Sequence, residues 1–320
     1  MTDRECLERA LELAERGRGR TAPNPVVGAV LVRDGERVAE GWHERVGGPH
    51  AEVVALEAAG ERARGATLYV TLEPCAHHGR TPPCAEAVVE AGVTRVVAAV
   101  GDPNPETDGA GIARLRAAGV EVELAGGELE WLARLQNETY RVWVAEGRPF
   151  VVYKAAMTLD GRVTVPGSRW VTGEESRRRV HELRARMDAV AVGMGTVRAD
   201  NPELTAREVG AERQPRRLAF GRGPLPAGSG LELRTGPLVE ELGRLAEEGV
   251  QSLLLEGGPT LATAFLEVGL VDKLMLFVAS RLAGTGPRWL GELPEAIALL
   301  RPSVEQVGED VLITAYLRSP

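Results

Sequence analysis

Apolar residues at positions 7, 10, 11 and 14 recur at helical spacing and Gly17-Arg18-Gly19 follows them, so residues 6–16 are expected to form a helix that stops there. The continuous apolar run at 26–32 predicts a buried strand ending at the Asp34-Gly35 turn. The alternation continues with a helix at 50–59, a strand at 66–72, a helix at 83–91 and a strand at 93–100. A last pair at 112–118 and 120–124 closes the series. Residues 131–146 carry a helical pattern, which Gly147-Arg148-Pro149 breaks before a fresh apolar run at 150–154. The domain boundary is placed at that break, dividing the chain into 1–147 and 148–320. Beyond it the rhythm returns: a helix at 174–186, strands at 189–192 and 217–220, a helix at 239–248, a strand at 252–255, a helix at 259–268, and strands at 272–278 and 310–316. Residues 221–236, rich in Gly and Pro, are expected to be a surface loop. Both halves therefore belong to the α/β class, built as layers with short connections.

Composition narrows the picture. A length of 320 residues accommodates two domains of roughly 150 residues each, and 44% hydrophobic residues are ample for two cores. A net charge of −8 and an isoelectric point near 5.4 argue against a nucleic-acid partner. Arg4, Glu5, Glu8 and Arg9 interrupt any apolar run at the start, and no stretch of 18 apolar residues occurs, so neither a signal peptide nor a membrane span is expected. Three cysteines with no obvious pairing point to a reducing compartment, and the expected location is the cytoplasm. Of 38 basic residues only Lys154 and Lys273 are lysine, which singles out each of them for attention.

The chemistry concentrates in His50-Ala51-Glu52, Pro74-Cys75 and Cys84. A neutral imidazole and two thiolates hold Zn²⁺ in three positions and leave a fourth for water, which the metal acidifies towards a pKa of about 7. Glu52, two residues from His50, is close to the metal without having to bind it and is the candidate proton shuttle. That pattern is the one zinc deaminases use to release ammonia from an amino-bearing ring carbon. Structural zinc sites usually close with four ligands and have two to four residues between paired cysteines, whereas eight residues separate Cys75 from Cys84. His77 and His78 remain as side chains that would complete a closed site.

The second half has its own signals. Leu255-Glu256-Gly257-Gly258-Pro259-Thr260 lies between a strand and a helix, where glycines let backbone N–H groups approach a phosphate. Gly193-Met194-Gly195-Thr196, followed by Asp200 and Arg207, offers a second loop after a strand. Two such loops suggest a cofactor carrying several phosphates, although the G-x-G-x-x-G fingerprint is absent. Lys154 is a candidate for facing substrate, with Asp160-Gly161 at the turn beyond it. Arg184 and Arg207 are candidates for gripping a phosphate bidentately.

These residues together resemble the bifunctional riboflavin-biosynthesis deaminase/reductase family. The first half carries Asn24-Pro25-Val26-Val27-Gly28, Gly41-Trp42-His43, His50-Ala51-Glu52, Thr71-Leu72-Glu73-Pro74-Cys75, Thr81-Pro82-Pro83-Cys84 and Asp102-Pro103-Asn104-Pro105; the second carries Lys154, Leu159-Asp160-Gly161, Asp188-Ala189 and Glu256-Gly257-Gly258. The resemblance implies a cytidine deaminase-like three-layer α/β/α domain followed by a dihydrofolate reductase-like α/β domain. It further implies hydrolytic deamination of 2,5-diamino-6-(5-phosphoribosylamino)pyrimidin-4-one and then reduction of the ribosyl group to ribityl with NADPH. Carried over by position, His50, Cys75 and Cys84 bind zinc, Glu52 shuttles protons, and Asn24, His43, His77 and Arg80 line the pyrimidine and phosphate pocket. Arg80 stands where a lysine is common, which keeps the charge but changes its geometry. In the reductase, Ala156, Trp170, Thr196, Asp200, Gly258, Pro259, Thr260, Leu261, Ala262, Thr263 and Ala264 contact NADPH, while Lys154, Ser168, Arg184, Leu204, Arg207 and Glu256 face substrate. After Phe220 the family usually has an Asp; here Gly221 opens a short Gly/Pro-rich stretch, so the loop that helps cover the cofactor is expected to be trimmed. The implied partner is the small pyrimidine ribosyl phosphate, and a homo-oligomer, dimer or tetramer, is expected.

Two rival readings are a single-activity nucleoside or tRNA deaminase with an unrelated second module, and a non-catalytic zinc-stabilised binding protein. The first is disfavoured by the cysteine spacing, the acidic charge and an aromatic content of 4%, sparse for base stacking. The second requires Glu52 to be incidental.

Overall fold

Thr2 caps the first helix through a reciprocal pair, its hydroxyl accepting from Glu5 N–H and the Glu5 carboxylate accepting from Thr2 N–H. This box draws α1 (Asp3–Glu15) back three residues from the expected start. The computed structural model describes residues 1–76, 83–105 and 107–320, and the chain divides into units of 1–146 (with Pro320) and 147–319. In the first unit β1 (Gly28–Arg33), β2 (Glu36–Trp42), β3 (Thr67–Val70), β4 (Arg95–Ala98) and β5 (Glu121–Leu124) form a sheet in the order β2-β1-β3-β4-β5. β1 pairs antiparallel with β2 and β3, and β3, β4 and β5 run parallel. The helices α2 (Ala51–Ala59), α3 (Cys84–Glu90), α4 (Ala110–Ala117), α5 (Gly127–Gln136) and α6 (Glu138–Glu146) complete the unit.

Two departures from the sequence expectation shape the site. The stretch 131–146 is not one helix: the chain breaks at Asn137 (φ −118°, ψ 25°), whose side chain bonds the backbone of Val26 instead of facing solvent on a continuous helix. β2 is an unexpected strand, polar and half-exposed at the sheet edge. Its Gly41 has a structural purpose, since a Cβ there would lie 2.4 Å from the Ala51 carbonyl oxygen. The absence of a side chain lets the start of α2, with His50 and Glu52, press onto the sheet.

In the second unit β6 (Phe150–Thr158), β7 (Ala189–Gly193), β8 (Arg216–Phe220), β9 (Glu232–Arg234), β10 (Ser252–Leu255), β11 (Lys273–Ala279), β12 (Leu300–Val307) and β13 (Asp310–Tyr316) form a sheet in the order β12-β13-β11-β6-β10-β7-β8-β9. The run from β11 to β9 is parallel and the β12–β13 end antiparallel. The four residues of β10 are all buried, as expected of a central strand in a parallel sheet. Helices α7 (Glu174–Arg186), α8 (Met194–Asp200), α9 (Leu238–Glu247) and α10 (Pro259–Glu267) follow in sequence. The segment 221–236 is not wholly loop, because β9 pairs parallel with β8, and the stretch from Gly193 to Thr196 is the cap and first turn of α8, not an open loop. At the base of β6 a buried Arg148 guanidinium donates to both Asp272 oxygens at 2.8 and 2.7 Å, tying the strand to the residue that precedes β11. Lys273, the second lysine, lies over the Tyr316 ring at 4.8 Å and serves packing. Among the described residues no helix is long and apolar enough to cross a membrane.

Candidate functional site

His50 is the extended residue before α2 (φ −72°, ψ 161°), Cys75 lies in the loop after β3, and Cys84 opens α3. Three separate elements thus deliver three donor atoms, all within 4.8 Å of one another. His50 Nδ1 is 3.0 Å from Cys84 Sγ and 3.6 Å from Cys75 Sγ. The Cys84 N–H, unpaired within its own helix, donates to Cys75 Sγ at 3.3 Å, where the helix field favours a thiolate. Hydrogen bonding from Cys84 outweighs burial and draws the Cys75 thiol down to about 4, while the same contact together with burial pushes Cys84 up. One imidazole nitrogen and two sulfurs converging so closely form a donor set suited to zinc. Glu52, in the first turn of α2, is 3% exposed, and burial lifts its carboxyl to about 7 despite the opposing influence of His50. A carboxyl near 7 both takes up and releases protons at physiological pH.

His50, Glu52 and Cys75 line a cavity of about 390 Å³, a volume typical of small-molecule sites. The buried His43 ring stands edge-on to His50 with ring centres 5.4 Å apart. Its Nδ1 is 3.0 Å from the Pro49 carbonyl and its Nε2 is 3.3 Å from Asn24 Nδ2. A neutral imidazole that donates from Nδ1 and accepts at Nε2 satisfies both, and burial lowers the proton affinity of the ring accordingly. Asn24, His43, His50, Glu52 and Cys75 therefore share one cavity, whereas His77, His78 and Arg80 lie outside the described residues.

The structure adds to this site residues that the sequence reading left inside motifs or passed over. Asp102 and Asn104 line the cavity, together with Tyr140 and Trp143 from α6. Glu73, also buried, accepts backbone N–H groups from Asp102 (3.4 Å), Gly109 (3.1 Å) and Ile112 (3.0 Å), so its carboxylate anchors the start of α4. Gly111 packs so closely that a Cβ would fall 1.8 Å from the Pro74 carbonyl oxygen. The one available signal was Glu73 itself, an acid directly after the apolar strand and before Pro74-Cys75.

In the second unit Lys154 on β6, Glu256 just beyond β10 and Arg184 on α7 meet. Lys154 Nζ donates to Glu256 Oε2 at 3.0 Å, and Arg184 donates to both oxygens at 2.6 and 3.0 Å. Burial alone would raise the Glu256 carboxyl, but Lys154 and Arg184 reverse it and hold it at about 2. Arg184 also donates to the Thr205 carbonyl at 3.2 Å, linking the cluster to the segment of Leu204, which is buried with φ +55°, a conformation side chains rarely adopt. Arg207 does not join the Glu256 cluster: its half-exposed guanidinium pairs with Glu203 and the Thr205 hydroxyl.

The glycines expected at the cofactor lie at or just after the ends of β7 and β10, adjacent parallel strands in the middle of the sheet. Gly193 and Gly257 both close on Leu261, where a Cβ would come within 3.4 and 3.0 Å, and Gly258 faces Thr196 Oγ1. Pro259, Thr260, Thr263 and Ala264 line an open cavity of about 570 Å³, with Ala262 buried behind them. Side-chain-free positions at the carboxyl ends of adjacent parallel strands suit a phosphate-bearing cofactor. Ala156 lies further along β6 opposite Phe277, and Asp200 is exposed at the end of α8. Ser168 donates to the Trp170 carbonyl at 2.8 Å in the segment before α7, and the half-exposed Trp170 ring lies beneath Arg169 and Arg177.

The fold and the first site are those of a zinc deaminase: residues 1–100 match the family described as the cytidine and deoxycytidylate deaminase zinc-binding region. Residues 149–225 and 233–313 match the RibD C-terminal domain, and the interruption falls between β8 and β9, where the Gly/Pro-rich stretch lies. Similarity extends over the whole chain. The riboflavin biosynthesis protein RibD of Aquifex aeolicus is 41% identical, with 97% of each chain covered, and that of Escherichia coli is 39% identical, with 98% of this chain and 99% of the relative covered. Among solved structures, RibD of Acinetobacter baumannii superposes with a TM-score of 0.83 at 38% identity. The diaminohydroxyphosphoribosylaminopyrimidine deaminase/5-amino-6-(5-phosphoribosylamino)uracil reductase of Thermotoga maritima superposes with a TM-score of 0.82 at 35% identity, and 98% of each chain is covered in both cases. The chain belongs to the RibD family of riboflavin biosynthesis proteins. It is a bifunctional enzyme, a zinc-binding deaminase followed by a reductase.

Proposed function

We propose that the two units, taken as 1–147 and 148–320, act in turn on one pyrimidine ribosyl phosphate. The first releases ammonia from 2,5-diamino-6-(5-phosphoribosylamino)pyrimidin-4-one, and the second reduces the ribosyl group to ribityl with NADPH. The observation that carries the reading is the convergence of His50, Cys75 and Cys84 beside the buried Glu52, with His50, Cys75 and Glu52 on the wall of a cavity of small-molecule size.

His50, Cys75 and Cys84 would hold the zinc, which when bound would supply the Lewis acidity that makes water nucleophilic near neutral pH. Glu52 would take up the proton of the attacking water and deliver it to the departing amino nitrogen, a cycle its near-neutral carboxyl permits. Asn24 and the neutral His43 orient the ring, Asp102 and Asn104 meet its edge, and His77 and Arg80 complete the pocket on the phosphate side. In the second unit Lys154 and Arg184, charged and braced by Glu256, bind the sugar phosphate together with Ser168, Leu204 and Arg207. NADPH, which supplies hydride, lies along Ala156, Trp170, Thr196, Asp200 and the run from Gly258 to Ala264. Lys154 hydrogen-bonds the ribose oxygens and favours the open sugar. The protein works in the cytoplasm, as its free cysteines suggest, and as a homo-oligomer, for which the exposed Leu300 and Val304 on edge strand β12 speak.

The test follows ammonia release from the diaminopyrimidine and NADPH oxidation with the deaminated product. Cys75→Ser should lose zinc and ammonia release while keeping NADPH oxidation. Loss of both activities in a folded variant would refute separate sites.

A further inference from the structure

Asn137, Tyr140 and Arg141 share one face at the start of α6, three and four residues apart, and all are buried. Each grips a different part of the deaminase cavity wall. The Asn137 amide accepts from Val26 N–H and donates to the Val26 carbonyl, both at 2.9 Å, which steadies the segment carrying Asn24. Arg141 Nη1 donates to the Gly101 carbonyl at 3.0 Å. The Tyr140 hydroxyl donates chiefly to Asp102 Oδ1 at 3.2 Å, with Oδ2 farther at 3.5 Å, and the Asn104 N–H donates to Oδ1 at 3.0 Å. The Asn104 side chain bonds the same hydroxyl, so Tyr140 sits within a small network.

We propose that Tyr140 is a positioning residue of the deamination reaction, whose hydroxyl orients the Asp102 carboxylate towards the N–H donors on the edge of the aminopyrimidine. This rests on the deaminase reading above. The geometry is specific: a carboxylate has about four lone-pair directions, Oδ1 is engaged by Tyr140 and Asn104, and Asp102 and Tyr140 both line the cavity. A ring edge carrying an amino group beside a ring N–H offers two parallel donors, which an ionised and fixed carboxylate accepts best. The surroundings of Asp102 make the hydroxyl matter. Burial and the nearby Glu73 carboxylate disfavour its charge, whereas the Asn104 N–H, Tyr140 and Arg141 favour it. Phenylalanine would fill the same space and withdraw only the hydroxyl, the donor to Asp102 that is also bonded by the Asn104 side chain.

The experiment compares Tyr140→Phe, Asp102→Asn and the double variant in ammonia release from the diaminopyrimidine, with zinc content and NADPH oxidation by the second unit measured in parallel. Tyr140→Phe should keep its zinc and its reductase rate and raise KM on the order of five- to twenty-fold, with kcat changed less than about two-fold. Asp102→Asn should raise KM further, and adding Tyr140→Phe to it should raise KM by less than about two-fold more, because the hydroxyl acts chiefly through that carboxylate. Multiplying effects in the double variant, or an unchanged KM in Tyr140→Phe, would overturn the proposal. Loss of zinc or of reduction together with deamination would also overturn it, by marking Tyr140 as a packing residue. Absence of ammonia release from the unaltered protein would instead remove the deaminase reading on which it rests.

Discussion

Replacing Glu256 with Gln removes the one negative charge that two buried cations share. At about 1.4 kcal/mol per pH unit, lowering the carboxyl from 4.5 to about 2 corresponds to about 3 kcal/mol of stability at neutral pH. A loss of about 3–5 kcal/mol is the usual cost of removing one partner from a buried pair, so the two routes agree. The amide keeps the shape and one acceptor oxygen but turns a donor NH₂ towards a cation. Because the folded carboxyl titrates below the unfolded one, its contribution is fully present above about pH 4.5 and disappears as the pH falls towards 2. The stability gap between the original protein and Glu256→Gln should therefore be about 3 kcal/mol at pH 7 and close progressively below pH 4.5. Hydrogen exchange of peptides from β6 and β10, read by mass spectrometry, reports the second unit alone. Lys154→Met supplies the contrast: the bidentate Arg184–Glu256 pair survives, the stability loss should be only about 1–2 kcal/mol, and NADPH oxidation should fall sharply. A gap under about 1 kcal/mol, or one that persists unchanged in acid, would refute the account of the cluster.

Glu52→Gln should retain zinc by metal analysis yet slow ammonia release by on the order of 10²-fold or more; wild-type turnover would dismiss Glu52 as the proton carrier. Gly111→Ala should push α4 off the Pro74 carbonyl, only 1.8 Å from the new methyl position, and weaken zinc retention in a chelator competition, while an unchanged metal affinity would show that the loop of Cys75 is set elsewhere. Asn137→Leu strips two hydrogen bonds from the buried Val26 backbone and should destabilise the first unit by about 2–4 kcal/mol in urea; a neutral result would mean that the break between α5 and α6 does not depend on the amide.

Residue type and local spacing were enough to pick out His50, Cys75 and Cys84, which the fold brings together as a donor set able to hold a metal, because the affinity of imidazole and thiolate for zinc belongs to the side chains themselves. The central strands were equally visible: a strand such as β10, covered on both faces, must be apolar throughout. Other features had no local signature. β2 and β12 sit at sheet edges with side chains largely in solvent, so no apolar alternation marks them. The apolar pattern runs unbroken through Asn137, and only folding brings Val26, 111 residues away, to its amide. Tyr140 reads as an ordinary core aromatic until the chain places Asp102 against its hydroxyl. Lys154 stood out as a rare lysine, but its meeting with Glu256, 102 residues on, follows from the parallel register that sets Tyr153 beside Leu255. The sequence by itself determined most element types, the two α/β halves and the chemistry of the candidate metal-binding set, since these depend on near neighbours and side-chain identity. Tertiary structure alone decided which acids are buried, which cations they compensate and which groups face each cavity, because burial and electrostatic partnership exist only between residues that folding brings together.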